Sequence, residues 1–233
     1  MKLNDQAAII TGSARGIGRA IAIALAREGC NVVINSRTKK EVDATAKEIE
    51  KLGSDVLPMV ADVSNEKDVS RMVNEAMKKF GRVNILVNNA GVAAYKDFSK
   101  MSQKEIDDIL NINLRGLILC TKHVLPHMIK QKYGRIINIS SGAGKTGIAG
   151  LAVYCASKFG VIGFTEALSD ELPESIKVYA VCPGAVDTKM YVEAFHEQPS
   201  LKPEDIAKKT LPLCMPDTKE RSGKSIEIYH KWM

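Results

Sequence analysis

A glycine-rich turn that directly follows a short apolar run is the feature that most constrains this chain. Residues 7–10 (AAII) form a run typical of a strand buried on both faces, and Thr11-Gly12 ends it. From Ile17 to Ala26 the apolar positions are nearly continuous, which favours a helix packed tightly against a sheet. Residues 31–35 follow as a second strand, and parallel strands need such a crossover.

The three glycines of this turn suit an anion. Gly12, Gly16 and Gly18 permit positive φ and remove side chains where a phosphate would approach, and the following helix offers unpaired N–H groups. Their G-x-x-x-G-x-G spacing is neither the G-x-G-x-x-G fingerprint nor a P-loop. A tight turn with the helix packed close on the strand explains the same glycines, so both interpretations stay open.

The strand–helix alternation continues along the chain. It predicts an α/β fold, a doubly wound parallel sheet of about seven strands with helices on both faces, in a single domain over residues 1–233. The further predicted strands are 55–60, 83–87, 135–139, 177–181 and 225–228. The predicted helices are 39–52, 64–79, 102–130, 152–168 and one that begins at Pro203, and the helix 102–130 is expected to bend near Gly116 or Pro126. Because ligands of such sheets lie beyond the carboxyl ends of the strands, four segments should converge there: 12–18, 88–91, 140–141 and 183–188.

Composition excludes several classes of function. The net charge of +6 comes from lysines spread along amphipathic stretches, which is typical of solvated helix faces, and 5% aromatic residues give little support to nucleic-acid binding. Five scattered cysteines without metal-ligand spacing favour a reducing compartment, with no disulfide and no metal site. The absence of a long apolar run predicts no signal peptide and no membrane span, and hence a cytoplasmic protein.

Tyr154 and Lys158 are the residues with the clearest chemistry. Four positions apart on a predicted helix, they share one face, so the ammonium can lie near the phenol and lower its pKa. Such a phenol can donate a proton to a carbonyl oxygen or accept one from an alcohol. A packed ring beside a solvated lysine is the alternative for this pair alone.

The motifs T-G-x-x-x-G-x-G, N-N-A-G, a serine before Y-x-x-x-K, and P-G-x-V-x-T occur in this order over essentially the whole chain. In this the chain resembles the short-chain dehydrogenase/reductase family, and among its members the 3-oxoacyl-[acyl-carrier-protein] reductases. The resemblance implies a Rossmann-like fold and a homodimer or homotetramer. It does not specify the substrate.

The resemblance also implies the catalytic roles. Tyr154 would be the acid/base, Lys158 would lower its pKa and bind the nicotinamide ribose, and Ser141 would hold the substrate oxygen, with Ser140 as the fallback. Asn113 would position a water that returns protons to the lysine. A helix-interior amide that bonds locally is the alternative for Asn113.

The resemblance implies positions along the cofactor as well. The glycine turn would line the pyrophosphate, and residues 62–63 would lie at the adenine. Residues 89–91 would lie on the adenosine ribose side, and Val186 and Thr188 would reach the nicotinamide amide. The cofactor-binding residues expected in this way are Gly12, Ser13, Arg15, Gly16, Ile17, Gly18, Ser36, Arg37, Asp62, Val63, Asn89, Ala90, Gly91, Tyr154, Lys158, Pro183, Gly184, Val186 and Thr188.

The end of the second strand predicts which nicotinamide cofactor is used. An NAD site usually has a carboxylate there to bind the ribose hydroxyls, whereas this chain has Ser36 followed by Arg37, with Arg15 in the glycine turn. Two guanidiniums can bind a 2′-phosphate, which a carboxylate would repel. We therefore expect NADP(H). The alternative is that Arg37 simply faces solvent.

Other candidate residues favour structural interpretations. His123 and His127 lack the glutamate and third ligand of a metal motif, and Cys155 is expected to be a small packed side chain. Met190, Tyr191 and Phe195 lie where the family keeps its substrate lid, and fit either an apolar lid or ordinary packing. This segment is short for the family, and residues 229–233 (YHKWM) replace the usual glycine pair after the final strand.

Three hypotheses follow for the function. The first is an NADP(H)-dependent oxidoreductase acting on a ketone or secondary alcohol, with a 3-oxoacyl thioester as one such substrate. The second is a sugar, polyol or other alcohol dehydrogenase. The third is a non-catalytic dinucleotide-sensing protein, for which the set Asn113, Ser141, Tyr154 and Lys158 would be unnecessary.

Overall fold

A parallel sheet organises the residues that the computed structural model describes, which are 2–195 and 199–229. Its strand order, β3-β2-β1-β4-β5-β6-β7, and the parallel pairing of all neighbours confirm the predicted doubly wound sheet. The strands are β1 Ala7–Ile10, β2 Asn31–Ser36, β3 Val56–Val60, β4 Ile85–Asn88, β5 Gly134–Ile139, β6 Ile176–Pro183 and β7 Ser225–Ile228.

Helices cover both faces of the sheet. They are α1 Gly16–Arg27, α2 Lys39–Glu50, α3 Glu66–Phe80, α4 Gln103–Leu110, α5 Gly116–Gln131, α6 Ala152–Glu171, α7 Lys189–Phe195 and α8 Pro203–Cys214. A π-helical turn, Asn111–Arg115, joins α4 to α5, and 3₁₀ turns form at Phe98–Lys100 and Gly142–Gly144. Because none of the helices within the described ranges is both long and apolar enough, no membrane-spanning helix is found there.

The side chains of β1 show how the sheet divides the core into two layers. Ile10 packs in the layer that contains α1, α2 and α8, whereas its neighbour Ile9 packs in the layer of α3 and α5. Both are fully buried. A strand that is buried on both faces has apolar residues at consecutive positions, and residues 7–10 show this pattern.

Side chains cap the first turns of two helices. The side chain of Asn65 caps α3 by accepting a hydrogen bond from the Lys67 backbone N–H at 3.0 Å. At α4 the capping box is complete: Ser102 Oγ accepts from the Glu105 N–H at 3.3 Å, and Glu105 Oε2 accepts from the Ser102 N–H at 2.8 Å. These caps fix where the helices beyond β3 and β4 begin.

The bend expected near Gly116 takes the form of the π-helical turn that immediately precedes this glycine. A Cβ on Gly116 would lie 3.1 Å from the Val63 carbonyl oxygen, so glycine is what lets the helix approach the end of β3. The extra residue of a π-turn places Asn113 in the interior, 1% exposed.

Two local predictions were wrong. The sixth strand was predicted to end at Val181, but it extends to Pro183 because its last four residues pair with Ser225–Ile228 of β7. Helix α7 was not predicted, since seven residues give too little periodicity to recognise. It begins directly after Thr188 and therefore borders the carboxyl edge of the sheet.

Candidate active site

The cleft lies where the strand order reverses, between β1 and β4, as is general for doubly wound sheets. It consists of two adjoining cavities of about 360 and 310 Å³ at the carboxyl ends of the strands. We call the larger one the adenosine-end cavity, after the residues expected to bind the adenosine of a cofactor, and the smaller one the catalytic cavity, after the residues expected to be catalytic. Residues that line both include Ile17, Asn89, Gly91 and Thr188.

The structure brings most of the predicted site residues to this cleft. Those on the adenosine-end cavity are Gly12, Arg15, Gly16, Ile17, Ser36, Arg37, Asp62, Val63, Asn89, Ala90, Gly91 and Thr188. Those on the catalytic cavity are Ile17, Asn89, Gly91, Ser141, Tyr154, Lys158, Pro183, Gly184, Val186 and Thr188. Ser13, Gly18 and Asn113 line neither.

Packing and anion-site geometry coexist in the glycine turn. Gly12 has φ +62°, and a Cβ there would lie 2.8 Å from Ala90 Cα, while a Cβ on Gly18 would lie 2.6 Å from the Gly12 carbonyl oxygen. Gly16, with φ +55°, lines the adenosine-end cavity itself. The two interpretations of the glycines are therefore compatible, since packing requires Gly12 and Gly18 whereas Gly16 lies beside the open space.

The start of α1 fits a phosphate. Arg15 occupies the N-cap position without a side-chain cap, and the first turn of α1 contains no acidic residue. Free N–H groups and the positive end of the helix dipole then face a cavity lined by Gly12 and Gly16. This donor set is suited to a pyrophosphate.

Ser13 was expected to bind the cofactor, and the structure does not support this. Its hydroxyl donates to the Ile10 carbonyl at 2.7 Å and accepts from the Asn35 N–H at 2.9 Å, and its own N–H donates to the Asn35 carbonyl at 2.8 Å. The residue is fully buried. Ser13 therefore ties the glycine turn to β2 instead of facing a ligand.

The two predicted phosphate-binding arginines reach the adenosine-end cavity from its rim. Their side chains are 59% exposed for Arg15 and 63% exposed for Arg37. Arg15 lies 3.5 Å from a carboxylate oxygen of Glu41, and Arg37 lies 3.9 Å from one of Asp62. Arg37 thus both faces solvent and lines the cavity, and neither guanidinium is buried in an ion pair.

Tyr154 and Lys158 lie on α6 in the wall of the catalytic cavity, and both are less than a tenth exposed. Lys158 Nζ donates to the Ile139 carbonyl at 2.9 Å and lies 5.6 Å from the centre of the Tyr154 ring. The two side chains therefore share one face of the helix, as their spacing predicts.

The expected direction of the Tyr154 pKa was wrong. Burial raises the pKa of Tyr154, and a hydrogen bond with the Ser141 side chain lowers it only in part. Burial also lowers the pKa of Lys158 to about 8. Burial is the largest cause of both shifts, because it penalises the charged form of each group.

Ser140 and Ser141 have different surroundings. Ser140 Oγ donates to the Lys158 carbonyl at 2.9 Å and is buried, so it holds the catalytic helix against β5. Both serines line the catalytic cavity, and Ser141 Oγ, which accepts from the Ala143 N–H at 3.2 Å, hydrogen-bonds with Tyr154. The geometry favours Ser141 as the group that faces a substrate.

Asn113 bonds to other segments instead of locally. Its Oδ1 accepts from the Val92 N–H at 2.8 Å, and its Nδ2 donates to the Val92 carbonyl at 2.9 Å and to Ser157 Oγ at 3.1 Å. Ser157, which the sequence analysis missed, in turn donates to the Tyr154 carbonyl at 2.7 Å. The side chain of Asn113 therefore connects the loop after β4 to the catalytic helix.

Further lining residues were not predicted. On the adenosine-end cavity these include Asn35 and Lys189, and on the catalytic cavity they include Ile148 and Leu151. Asp187 also lines the adenosine-end cavity and lies in the segment 183–188 that was expected to converge there. Asn35 ends a predicted strand, so strand-end position was a usable signal for it. Ile148 and Leu151 lie in a loop whose path the sequence does not indicate.

Of the residues given structural interpretations, Cys155 accepts from the Ile148 N–H at 3.4 Å and is buried. His123 lies 3.4 Å from Glu66 on the surface side of α5, and no three-ligand metal cluster occurs in the part of the chain that the structure describes. Met190 and Tyr191 line the catalytic cavity. The side chain of Phe195 and residues 230–233 lie outside the described part.

The chain belongs to the short chain dehydrogenase family, whose model matches residues 6–199. This assignment agrees with the order of the motifs and with the arrangement of Ser141, Tyr154 and Lys158 around the cavity. It makes the chain a member of a family of oxidoreductases.

Individual relatives support the same assignment. The chain is 39% identical to the (2S)-[(R)-hydroxy(phenyl)methyl]succinyl-CoA dehydrogenase subunit BbsD of Thauera aromatica, over 98% of this chain and 96% of that one. It is 41% identical to a 3-oxoacyl-[acyl-carrier-protein] reductase of a Synechocystis species, over 86% and 81%.

Solved structures show the same fold. A crystal structure of levodione reductase superposes with a TM-score of 0.91 at 28% identity, covering 97% of this chain and 96% of that one. A putative short-chain alcohol dehydrogenase from Sinorhizobium meliloti 1021 gives 0.91 at 30% identity, over 97% and 95%.

Proposed function

We propose that this protein is an NADP(H)-dependent oxidoreductase that interconverts a ketone and a secondary alcohol. The observation that carries the proposal is that Ser141, Tyr154 and Lys158 line one apolar cavity, which adjoins the cavity at the glycine turn. A bound nicotinamide would supply or accept the hydride. The residues of the chain then have to orient the oxygen and move its proton.

Tyr154 is the group that exchanges the proton. Its raised pKa keeps the phenol protonated at neutral pH, so it can donate to the oxygen of a ketone during reduction. Ser141, which hydrogen-bonds with Tyr154, holds the same oxygen. In the direction of oxidation, Tyr154 first loses its own proton, and the phenolate then accepts the proton of the alcohol while Ser141 holds the alcohol oxygen.

Lys158 supplies positive charge behind the phenol. Its ammonium favours the phenolate that forms when Tyr154 gives up its proton. Lys158 Nζ also lies near Gly91, since a Cβ built on this glycine would be 3.6 Å from it, and from there it could bind the ribose of a nicotinamide cofactor. Asn113 has its side-chain oxygen and nitrogen engaged with Val92 and Ser157. A role in positioning a water would therefore rest on main-chain atoms of the π-helical turn.

The walls of the catalytic cavity support an apolar substrate. They include Ile148, Leu151 and Met190, and among the described residues Lys158 is the one charged side chain that lines it. A sugar or polyol would leave hydroxyls unpaired against such walls. Two relatives are named for acyl thioesters, a succinyl-CoA derivative and a 3-oxoacyl carrier protein, and a 3-oxoacyl thioester is our preferred substrate.

The preference for NADP(H) rests on Arg15, Ser36 and Arg37, which line the adenosine-end cavity together. A 2′-phosphate there would be near two guanidiniums, with no carboxylate on β2 at Ser36 to repel it. Steady-state kinetics with both cofactors test this, since we expect a higher kcat/KM with NADPH than with NADH.

A homo-oligomer is also proposed. Leu110, Ile118 and Phe159, on α4, α5 and α6, are large apolar side chains that are each more than a third exposed. Burial of these helices against a second copy would cover them. Size-exclusion chromatography with light scattering should give a mass of two or four chains.

Replacing Tyr154 by phenylalanine tests the catalytic proposal. Without the hydroxyl, turnover of acetoacetyl-CoA with NADPH should fall about 10³-fold, while NADPH binding, followed by cofactor fluorescence, should stay within about twofold. A dinucleotide sensor predicts no turnover in the wild type and no effect of the substitution. Wild-type turnover that survives Tyr154→Phe would contradict the assignment of the acid/base.

A further inference from the structure

We propose that Tyr229 is a positioning residue for Ser141, an inference that rests on the proposed function. Tyr229 directly follows β7 and lies outside both cavities. Its ring contacts two segments that line the catalytic cavity, one at Gly142 after β5 and one at Gly184 after β6. It therefore acts through the wall and does not touch a ligand.

The contacts are visible at two glycines that line the catalytic cavity. A Cβ on Gly142 would lie 3.2 Å from Tyr229 Cε1 and 3.3 Å from its hydroxyl oxygen. A Cβ on Gly184 would lie 3.0 Å from Tyr229 Cδ1. The ring thus fills the space that side chains at both positions would occupy, and it bridges the ends of β5 and β6.

Gly142, the first of these glycines, belongs to the short turn that fixes the position of Ser141. Ser141 caps the 3₁₀ turn Gly142–Gly144: its hydroxyl accepts from the Ala143 N–H, and its carbonyl accepts from the Gly144 N–H at 2.9 Å. Any shift of this short turn therefore moves the Ser141 hydroxyl relative to Tyr154.

The turn is held between two elements. On one side Gly144 lies against the catalytic helix, since a Cβ there would come within 2.7 Å of the Lys158 carbonyl oxygen. On the other side lies the ring of Tyr229. Removing the ring opens space on that side of the turn, and a displacement of about 1 Å in such a group can cost up to about a hundredfold in rate.

A role in folding alone is a weaker explanation. Tyr229 is 45% exposed, and Gly184 remains tied to β7 by its own N–H, which donates to the Ile228 carbonyl at 2.9 Å. The strand pairing is therefore independent of the tyrosine side chain, and the position of the turn is what depends on the ring.

Kinetics of Tyr229→Ala, measured with NADPH and acetoacetyl-CoA, test the inference. We expect kcat to fall about tenfold, with KM for NADPH unchanged and a Tm shift below about 4 °C. Tyr229→Phe, which restores the ring, should recover most of the turnover. Phe98→Ala is the matched control, because Phe98 is also an exposed aromatic side chain and lines neither cavity.

A double-mutant cycle with Ser141→Ala separates positioning from general damage. If Tyr229 acts through Ser141, Tyr229→Ala should cost almost nothing further once Ser141 is alanine. An equal tenfold loss in both backgrounds, or full activity of Tyr229→Ala, overturns the inference. Should Tyr229→Ala not fold, Tyr229→Leu takes its place in the cycle. A wild type without ketone reduction contradicts the proposed function itself, which is a different result from an active Tyr229→Ala.

Discussion

The two ends of the cleft are built differently. At the catalytic end, Tyr154 and Lys158 are almost completely buried, and burial determines the direction of both pKa shifts. At the adenosine end, Arg15 and Arg37 are more than half exposed and lie near carboxylates of Glu41 and Asp62. Charges that are buried act strongly at short range, whereas exposed charges are screened by water and salt.

This difference predicts which substitutions should have large effects and which should have small ones. Substitutions at the buried end should change the chemical step by orders of magnitude and also change stability. Substitutions at the exposed end should change cofactor binding by about tenfold, in a salt-dependent way, and leave the fold intact. The predictions below run from the largest expected effect to the smallest.

Lys158→Met should separate activity from stability. Turnover should fall about 10³-fold, because the charge behind Tyr154 is lost. The free energy of unfolding at pH 7 should rise by about 1 to 2 kcal/mol, since the lowered pKa of Lys158 shows that burying the ammonium is unfavourable. Urea unfolding measures this, with Lys104→Met on the exposed face of α4 as the control.

The sign of the linkage gives a second check on Lys158. Its folded-state pKa of about 8 lies below the ordinary 10.5, so the unfolded chain binds more protons between these values. Wild-type stability should gain a favourable contribution as pH rises through this window, and Lys158→Met should lack it. A loss of stability in the variant at pH 7 would contradict the assignment of a desolvated charge.

The pH dependence of reduction should follow the same group. Lys158 is charged below pH 8 and loses its proton above it, whereas the raised pKa keeps Tyr154 protonated. We therefore expect kcat/KM for ketone reduction to decline above about pH 8, approaching tenfold per pH unit. A profile that stays flat to pH 9.5 would show that the ammonium is not required in the free enzyme.

At the exposed end, the double substitution Ser36→Asp with Arg37→Ala should raise KM for NADPH about tenfold and lower KM for NADH, with kcat nearly unchanged. In the wild type, added salt should raise KM for NADPH more than KM for NADH. Arg221→Ala, near the opposite edge of the sheet, is the charge control. A wild type that already prefers NADH would refute the predicted cofactor.

The smallest effect should come from a residue beside the catalytic serine. Ser140→Ala removes the hydrogen bond to the Lys158 carbonyl, so the free energy of unfolding should fall by about 1 kcal/mol while kcat changes less than about threefold. Thermal unfolding and steady-state kinetics measure the two quantities. A large loss of kcat would return Ser140 to the role proposed for Ser141.

The fold was predictable because the apolar runs and caps are local signals. Residues 7–10 form the strand that their apolar run predicts, and the capping box at Ser102 likewise involves only residues that are close in the sequence. The convergence of the predicted segments at one edge was predictable as well, since parallel strands bring their carboxyl ends together. Which residues of the glycine turn point towards the cleft depends on contacts with β2, and the sequence does not indicate that Ser13 bonds to Asn35.

The pKa of Tyr154 could not be predicted from spacing. The i, i+4 pattern indicates a nearby cation, but the desolvation that dominates here depends on the walls of the whole cavity. The same holds for Ile148 and Leu151, which reach the cavity through a loop. Tertiary burial is the quantity that the sequence does not express.

Ile17, Asn89, Gly91 and Thr188 line both cavities, so the two spaces share a wall. At Gly91 a Cβ would lie 3.3 Å from Asn113 Oδ1, so the missing side chain lets this shared wall pack closely against the π-helical turn. A long molecule bound across both spaces would meet exposed arginines at one end and a buried phenol at the other, and the shared wall would determine the distance between them.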